Sequence, residues 1–170
     1  RELNGVTWEV HSVDLPQNID DVWLVIGNTE IHAPTSNQVA KVAKLLDEEP
    51  NRITEIDTIG IIARRGIKAL IEGDMEGVGR AMSENHLLFR NLGVSCPELE
   101  NLISAAAPSS LGVKLTGAGG GGCMIALTRN PKETSEAIEL AGGKTLISKL
   151  ASKGITVDDE GDSPLWNPFE

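Results

Sequence analysis

A run of glycines in residues 114–123 is the most unusual feature of the sequence, which there reads Lys-Leu-Thr-Gly-Ala-Gly-Gly-Gly-Gly-Cys. Five of the six residues from Gly117 to Gly122 are glycine, and short apolar runs flank them at 111–115 and 124–127. Glycine loses more backbone entropy on folding than any other residue, so such a run is typical of a tight turn or of close approach by another group. Consecutive amides in a glycine turn can also bind an anion. The sequence therefore predicts a hairpin, and both a structural turn and a phosphate site remain open.

Residues 114–123 resemble the third signature motif of the GHMP kinases, the family of galacto-, homoserine, mevalonate and phosphomevalonate kinases. One alanine followed by four glycines and a cysteine is most similar to the mevalonate kinase branch of that family. Residues 84–95, with Glu-Asn-His-Leu-Leu and Leu-Gly-Val-Ser, resemble the same branch, as does Gly-Asn-Thr at 27–29 followed by Thr35. The resemblance runs from about residue 22 to residue 157.

The resemblance implies the C-terminal part of a kinase that transfers the γ-phosphate of ATP, with Mg²⁺, to the C5 hydroxyl of mevalonate in isoprenoid biosynthesis. By this resemblance the glycine loop borders the phosphoryl-transfer site. Thr35 and Thr116 are the candidate substrate-binding residues, although a helix N-cap and a strand end are their structural alternatives. The candidate loop residues are Gly117, Ala118, Gly119, Gly120, Gly121 and Gly122.

Three motifs of the family are absent from these 170 residues: the first lysine motif, the ATP loop Pro-x-x-x-Gly-Leu-Gly-Ser-Ser, and the Asp-x-x-x-(Ser/Thr) segment that carries the catalytic carboxylate. We therefore expect no catalytic residue and no metal ligand in this chain, which is an inactive half by itself. We expect residues 1–20 to end a missing N-terminal kinase domain, 21–157 to form the C-terminal domain, and 158–170 to be an acidic tail. The resemblance also implies a homodimer when the enzyme is full length.

Two other functions remain open. One is a different small-molecule kinase of the same family, such as a sugar kinase. The other is a non-catalytic, ferredoxin-like regulatory or dimerisation module. The glycine motif argues against such a module, because an interface gains nothing from so many glycines.

The composition excludes several classes of protein. A chain of 170 residues with 40% hydrophobic residues can bury one core, and its 3% of aromatic residues leaves that core aliphatic. A formal charge of −10 argues against nucleic-acid binding, which requires clustered Lys and Arg. No apolar run is long enough to span a membrane and no signal-peptide core is present, so we expect a cytoplasmic protein. Cys96 and Cys123 lack metal-ligand spacing.

Hydropathy patterns place the remaining elements. Residues 5–12 alternate like a half-exposed strand, which would be the last strand of the missing domain, whereas 22–26 form an apolar run typical of a strand buried on both faces. Four helices follow before the hairpin, and one helix and one strand come after it. This order predicts an α+β fold, a ferredoxin-like two-layer sandwich with extra helices in the first crossover.

Local signals define the helix ends. Capping boxes start helices at Thr35 and Ser95, Asn51 is a candidate N-cap, and Asn130 precedes a proline at the first helical position. A glycine and an aspartate at 73–74 end one helix and cap the next. The second helix carries an apolar stripe, composed of Ile56, Ile59, Ala63, Ile67 and Leu70.

A few polar residues could bind a ligand. Asn85 lies on an apolar stripe, where a structurally satisfied side chain is favoured over a substrate contact. His86, one step off that stripe, is expected to be exposed or interfacial. An inert thiol is favoured for Cys96, and neither His11 nor His32 is assigned a role.

Overall fold

The computed structural model describes Ile19 and residues 21–150, together with the backbone of two short strands near the start of the chain. These strands, β1 (Glu2–Leu3) and β2 (Val6–Thr7), form a separate antiparallel pair. The strand predicted at residues 5–12 is therefore described only at Val6–Thr7. The rest of it, including His11, lies outside the described residues, as does the tail at 158–170.

A four-stranded antiparallel sheet forms the centre of the fold. Its strands are β3 (Trp23–Asn28), β4 (Gly112–Thr116), β5 (Cys123–Thr128) and β6 (Lys144–Lys149). Their spatial order is β4-β5-β3-β6, and β4 and β5 are the two strands predicted around the glycine loop. Ala126 lies opposite both Val113 and Val25, which fixes the register across three strands.

Four α-helices lie between β3 and β4, and a fifth joins β5 to β6, as the sequence predicted. The strand order and the crossovers confirm the ferredoxin-like sandwich with extra helices. The helices are α1 (Thr35–Glu48), α2 (Ile53–Glu72), α3 (Met75–Asn91), α4 (Pro97–Ala106) and α5 (Pro131–Leu140), with short 3₁₀ helices at Pro50–Arg52 and Ala107–Ser109.

The main core lies between one face of the sheet and helices α4 and α5. Val25 of β3 packs there with Leu99, Leu102 and Ile138 of the two helices. The prediction that β3 is buried on both faces is wrong, because Leu24 and other residues of the strand are only half-buried. The reason is that α3 packs along β4 and not across β3.

Helix α3 covers the outer edge of β4. The amide of Val113 donates to Ser83 Oγ at 3.2 Å, and the amide of Leu115 donates to His86 Nδ1 at 3.4 Å. Side chains of α3 thus satisfy two edge amides that would otherwise face water or another strand. This contact fixes the strand that leads into the glycine loop.

Some predicted helix caps are confirmed and others are wrong. Gly73 ends α2 with a left-handed φ of 74°, and Asp74 caps α3 by accepting from the amide of Gly77. Thr35, however, is the first residue of α1, and its N-cap is Pro34. Ser95 precedes the actual N-cap, Cys96, and its hydroxyl donates to Glu100 instead.

The two helix starts at which an asparagine N-cap was predicted also differ from that prediction. Asn51 lies inside the 3₁₀ helix, so α2 starts at Ile53, one residue later than predicted. Asn130 is the N-cap of α5, as expected, but its side chain makes no capping hydrogen bond. The amide of Asn130 itself donates to the hydroxyl of Thr128 at 2.9 Å.

Candidate functional site

The glycine loop joins β4 to β5 in a backbone conformation that only glycine adopts easily. All five of its glycines have positive φ angles, which strain any residue with a Cβ. The φ values are 82° at Gly117, 84° at Gly119, 73° at Gly120, 152° at Gly121 and 73° at Gly122. The conformation itself therefore explains part of the glycine content.

Backbone hydrogen bonds hold the loop between two other segments. The Gly120 amide donates to the carbonyl of Val94 at 2.7 Å, and the Gly122 amide donates to Ile31 at 2.9 Å. The Gly122 carbonyl accepts from both the amide and the hydroxyl of Thr29, at 2.9 and 3.0 Å. Two of the amides that could have bound an anion are thus bonded within the protein.

Close contacts restrict side chains at three of the loop positions. A Cβ would lie 2.0 Å from Val94 O at Gly119 and 2.6 Å from Ile31 O at Gly121. At Gly120 it would lie 2.2 Å from the Gln38 side chain. The neighbours that exclude a side chain at these positions therefore belong to this chain.

The other two glycines face open space. At Gly117 and Gly122 no atom lies within 4 Å of the position that a Cβ would occupy. Only the positive φ requires glycine there, and the loop can be approached from outside at both positions. Ala118, between Gly117 and Gly119, is half-buried.

The structure brings both candidate threonines to the surroundings of the loop. Thr35 is exposed in the first turn of α1, between Ala33 and Gln38, which both approach Gly120. Thr116 is exposed at the end of β4, directly before the loop. Within the described part of the chain, neither hydroxyl has a hydrogen-bond partner, so both are free to contact a ligand.

An apolar cavity of about 450 Å³ opens beside the loop. Helix α1 and the segment after α3 line it with aliphatic side chains, and Gly117 and Ala118 form part of its wall. The Gln38 Oε1 atom is buried without a hydrogen-bond partner in the structure. That atom is too enclosed to reach a molecule in the cavity, whose apolar walls could hold a carbon skeleton next to the loop.

A buried histidine supports the segment that anchors Gly120. His86 is only 5% exposed; its Nε2 lies 3.1 Å from Glu100, and its Nδ1 accepts from Leu115. Burial lowers the pKa of His86 below the usual 6.5, an effect that Glu100 opposes. Ser95 donates to the same carboxylate and is next to Val94, whose carbonyl accepts from Gly120. The cluster of His86, Glu100 and Ser95 therefore holds in place the segment to which the loop is bonded. The prediction that His86 is exposed or interfacial is wrong.

Two further polar residues noted in the sequence, Asn85 and Cys96, are buried and partly buried, respectively. The residue Asn85 is only 8% exposed, and among the described residues its Oδ1 has no hydrogen-bond partner, which differs from the satisfied side chain that was expected. The pKa of Cys96 is raised by burial, which agrees with an inert thiol. Sequence reasoning did not connect Thr29, Gln38 or Val94 with the loop, because only tertiary contacts join them to it.

Among the described residues, no group of three or more His, Cys, Asp or Glu is placed to hold a metal ion. In the same part of the chain, no helix is both long and apolar enough to cross a membrane.

The fold and the loop define the class of protein. Residues 67–146 match the family model for the C-terminal domain of GHMP kinases, and the chain belongs to this family. Its curated relatives are mevalonate kinases. The enzyme from Pyrococcus furiosus is 36% identical over 144 residues, which is 80% of this chain and 43% of the relative. The enzyme ERG12 from Gibberella zeae is 31% identical over 89% of this chain and 33% of the relative.

A solved structure gives the same result. The crystal structure of L. major mevalonate kinase in complex with R-mevalonate superposes with a TM-score of 0.67 and 28% sequence identity. The match covers 78% of this chain and 44% of that protein. The chain thus spans less than half the length of the relatives it matches.

Proposed function

We propose that this chain is the C-terminal part of a mevalonate kinase, which transfers the γ-phosphate of ATP to the C5 hydroxyl of mevalonate in isoprenoid biosynthesis. Residues 21–157 would form its C-terminal domain, residues 1–20 the end of its N-terminal domain, and 158–170 an acidic tail. The observation that carries the proposal is the glycine loop. Its sequence has the form of the family motif, and two exposed threonines and an apolar cavity lie beside it. The mevalonate kinases that match the chain support this substrate.

In this proposal the chain positions groups and does not itself react. The outward side of the loop is open at Gly117 and Gly122, and the ATP-binding loop of the N-terminal domain would approach it there. Thr35 and Thr116 would donate hydrogen bonds to the substrate, and Thr35 would also place the N-terminus of α1 near an anionic group. Phosphoryl transfer depends chiefly on such positioning and on charge stabilisation.

ATP, Mg²⁺ and the catalytic carboxylate would all depend on the absent domain. The described residues offer no carboxylate cluster that fits Mg²⁺, so we assign the ion no ligand here and treat it as part of the Mg-ATP substrate. We expect the chain alone to be inactive and the whole enzyme to be a cytoplasmic homodimer. The alternatives are a sugar kinase of the same family, or a regulatory module without catalysis.

The test joins this chain to the N-terminal segment of the Pyrococcus furiosus relative and measures ADP release with mevalonate, galactose and homoserine in turn. Turnover with mevalonate only by the joined protein is the expected result. Turnover with galactose instead would favour the sugar kinase. Turnover by the 170-residue chain alone would overturn the proposal that it lacks the reacting groups.

Variants of the joined protein test the proposed residues. Thr116→Val keeps the shape of the side chain but removes the hydroxyl, and we expect the KM for mevalonate to rise by about tenfold. Thr58→Val is the matched control, because Thr58 is exposed on α2 and bonds only to the carbonyl of Thr54. Equal kinetics in both variants would remove Thr116 from the site.

A further inference from the structure

One carboxylate connects the elements that lie behind the glycine loop. Glu100 of α4 accepts from the hydroxyl of Ser95, and its Oε1 lies 3.1 Å from His86 Nε2. The guanidinium of Arg90 lies 3.7 Å from its other oxygen. The preceding residue, Leu99, is fully buried in the main core and holds this turn of α4 against the sheet. A side chain of α4 thus joins α3 to the segment between the two helices.

The contacts of His86 specify which of its ring nitrogens carries the proton. The backbone amide of Leu115 can only donate, so Nδ1, which lies 3.4 Å from it, is an unprotonated acceptor. Burial lowers the pKa of the ring and so favours its neutral form. A neutral ring with a free Nδ1 carries its proton on Nε2, and that N–H donates to Glu100. The carboxylate therefore selects the tautomer that bonds to β4.

Two chains of contacts lead from this carboxylate to the loop. On one side, His86 accepts from the amide of Leu115, the last residue but one of β4. On the other side, Ser95 follows Val94, whose carbonyl accepts from the Gly120 amide at 2.7 Å. The first chain reaches the strand that enters the loop, and the second reaches the middle of the loop.

We propose that Glu100 is a positioning residue for the glycine loop and, through the loop, for phosphoryl transfer. It acts through His86 and Ser95 and not by contact with the substrate. Its part in phosphoryl transfer rests on the proposed kinase function. The inference goes beyond that function because Glu100 lies on another helix, outside the loop motif and outside the candidate site residues.

The expected effect on catalysis is on the rate and not on substrate binding. In the proposed enzyme the loop borders the transferring phosphate, and a displacement of about 1 Å in a positioning group can lower a rate by about 100-fold. Thr35 belongs to α1, which neither chain of contacts reaches. We therefore expect the loss of Glu100 to lower kcat and to change the KM for mevalonate little.

Two substitutions at Glu100 separate its hydrogen bonds from its other properties. Glu100→Gln keeps a side-chain oxygen that can accept from both His86 and Ser95, whereas Glu100→Met has a similar length and no comparable acceptor. Ser95→Ala is a milder variant that removes only the contact on the Val94 side. Glu133→Met is the matched control, because Glu133 is an exposed carboxylate in the first turn of α5. Thermal unfolding establishes that each variant is folded before the comparison.

The first test uses the 170-residue chain and does not depend on kinase activity. Nitrogen NMR of the imidazole should show His86 protonated on Nε2 in the original chain, in Glu100→Gln and in Ser95→Ala, and a mixture of tautomers in Glu100→Met. A His86→Gln chain identifies these signals among those of the three histidines. Amide exchange at Gly120 should become about tenfold faster in Glu100→Met and in Ser95→Ala. It should stay unchanged in Glu100→Gln and in Glu133→Met.

The second test uses the protein joined to the N-terminal segment of the Pyrococcus furiosus relative. We expect Glu100→Met to lower kcat with mevalonate by about tenfold or more while the KM stays close to that of the unsubstituted protein. Glu100→Gln should retain most of the rate, because it keeps both hydrogen bonds.

The two proposals fail on different results. An unsubstituted joined protein without turnover would count against the kinase, and the first test would still decide whether Glu100 positions the loop. A folded Glu100→Met chain with unchanged exchange at Gly120, or an active joined form that keeps its full kcat, would overturn the role of Glu100. So would His86 protonated on Nδ1 in the original chain, or a Glu100→Gln variant that loses as much as Glu100→Met.

Discussion

Gly79 of α3 and Gly112 of β4 face each other at backbone contact. A Cβ on Gly79 would lie 2.2 Å from the carbonyl oxygen of Leu111, and a Cβ on Gly112 would lie 2.0 Å from that of Gly79. Both sets of close neighbours are backbone atoms, which cannot move aside as a flexible side chain can. The two glycines thus determine how closely α3 approaches the sheet. This close approach allows the Ser83 hydroxyl to accept from the Val113 amide at the edge of β4.

The first prediction concerns this contact. Gly79→Ala should lower the free energy of unfolding by about 3 kcal/mol, because the added methyl overlaps the backbone of the adjacent strand. Urea unfolding followed by circular dichroism measures the change. Gly60→Ala is the control: Gly60 also lies within a helix, but only the tip of the Arg64 side chain lies near its Cβ position, at 3.6 Å. That substitution should stabilise the chain by about 0.5–1 kcal/mol, and equal effects of the two would contradict the contact.

The second prediction separates two causes of glycine use in the loop. Gly117 and Gly119 both have positive φ, but only Gly119 is crowded by Val94. Gly117→Ala should therefore cost about 1 kcal/mol for the backbone strain, and Gly119→Ala about 2 kcal/mol more for the overlap. Chemical denaturation of the two variants gives both values. A Gly117 variant that loses as much stability as the Gly119 variant would show that the backbone conformation accounts for the whole effect.

The third prediction concerns the anchor of the loop. Thr29→Val preserves the shape of the side chain but removes the hydroxyl that donates to the Gly122 carbonyl and accepts from the Ile31 amide at 3.3 Å. We expect a loss of about 1 kcal/mol, since neutral hydrogen bonds of this kind contribute about that much. Amide exchange should also become faster at Gly122 and stay unchanged at Gly73, far from the loop. Unchanged exchange at Gly122 would mean that the backbone bond alone fixes the turn.

The fourth prediction follows from the lowered pKa of His86. As the pH falls below about 6.5, the unfolded chain takes up a proton that folded, neutral His86 does not, so acidification lowers the stability. The loss continues until the pH reaches the pKa of the folded state, and it is absent above neutral pH. His86→Gln should flatten this part of the stability curve between pH 7.5 and the acid range, as measured by denaturation at a series of pH values. A curve as steep as that of the original chain would assign the dependence to other groups.

Sequence reasoning succeeded where the signal was local. Gly73 and Asp74 define their helix boundary by backbone conformation and by a bond three residues away, so neighbouring residues contain the information. The hairpin around the glycine loop was predicted for the same reason. Capping was less reliable, because Pro34 takes the N-cap position before Thr35, and Glu100 takes the hydroxyl of Ser95.

The errors on α3 have a tertiary cause. A periodic stripe predicts one buried face, whereas α3 packs against α2 on one side and β4 on the other. Asn85 and His86 are adjacent in sequence and so cannot lie on one stripe, yet both are buried. His86 is buried between β4 and α4, where it contacts Leu115 and Glu100, and the periodicity of α3 does not show that two other elements meet there.

Because α3 packs against the outer edge of β4, that edge cannot pair with a strand of a second copy of the chain. The described four-stranded sheet has two outer strands, β4 and β6, and no described helix covers the edge of β6 as α3 covers that of β4. Strand β6 begins with Lys144 and ends with Lys149, and its Leu146 is 63% exposed. Charged ends of this kind discourage pairing between edges. If two copies did pair through the described four-stranded sheet, each would use the edge of β6, and α3 would cover both outer edges of the wider sheet that results. A sheet with a single open edge ends its own growth at a dimer and cannot extend into a fibre.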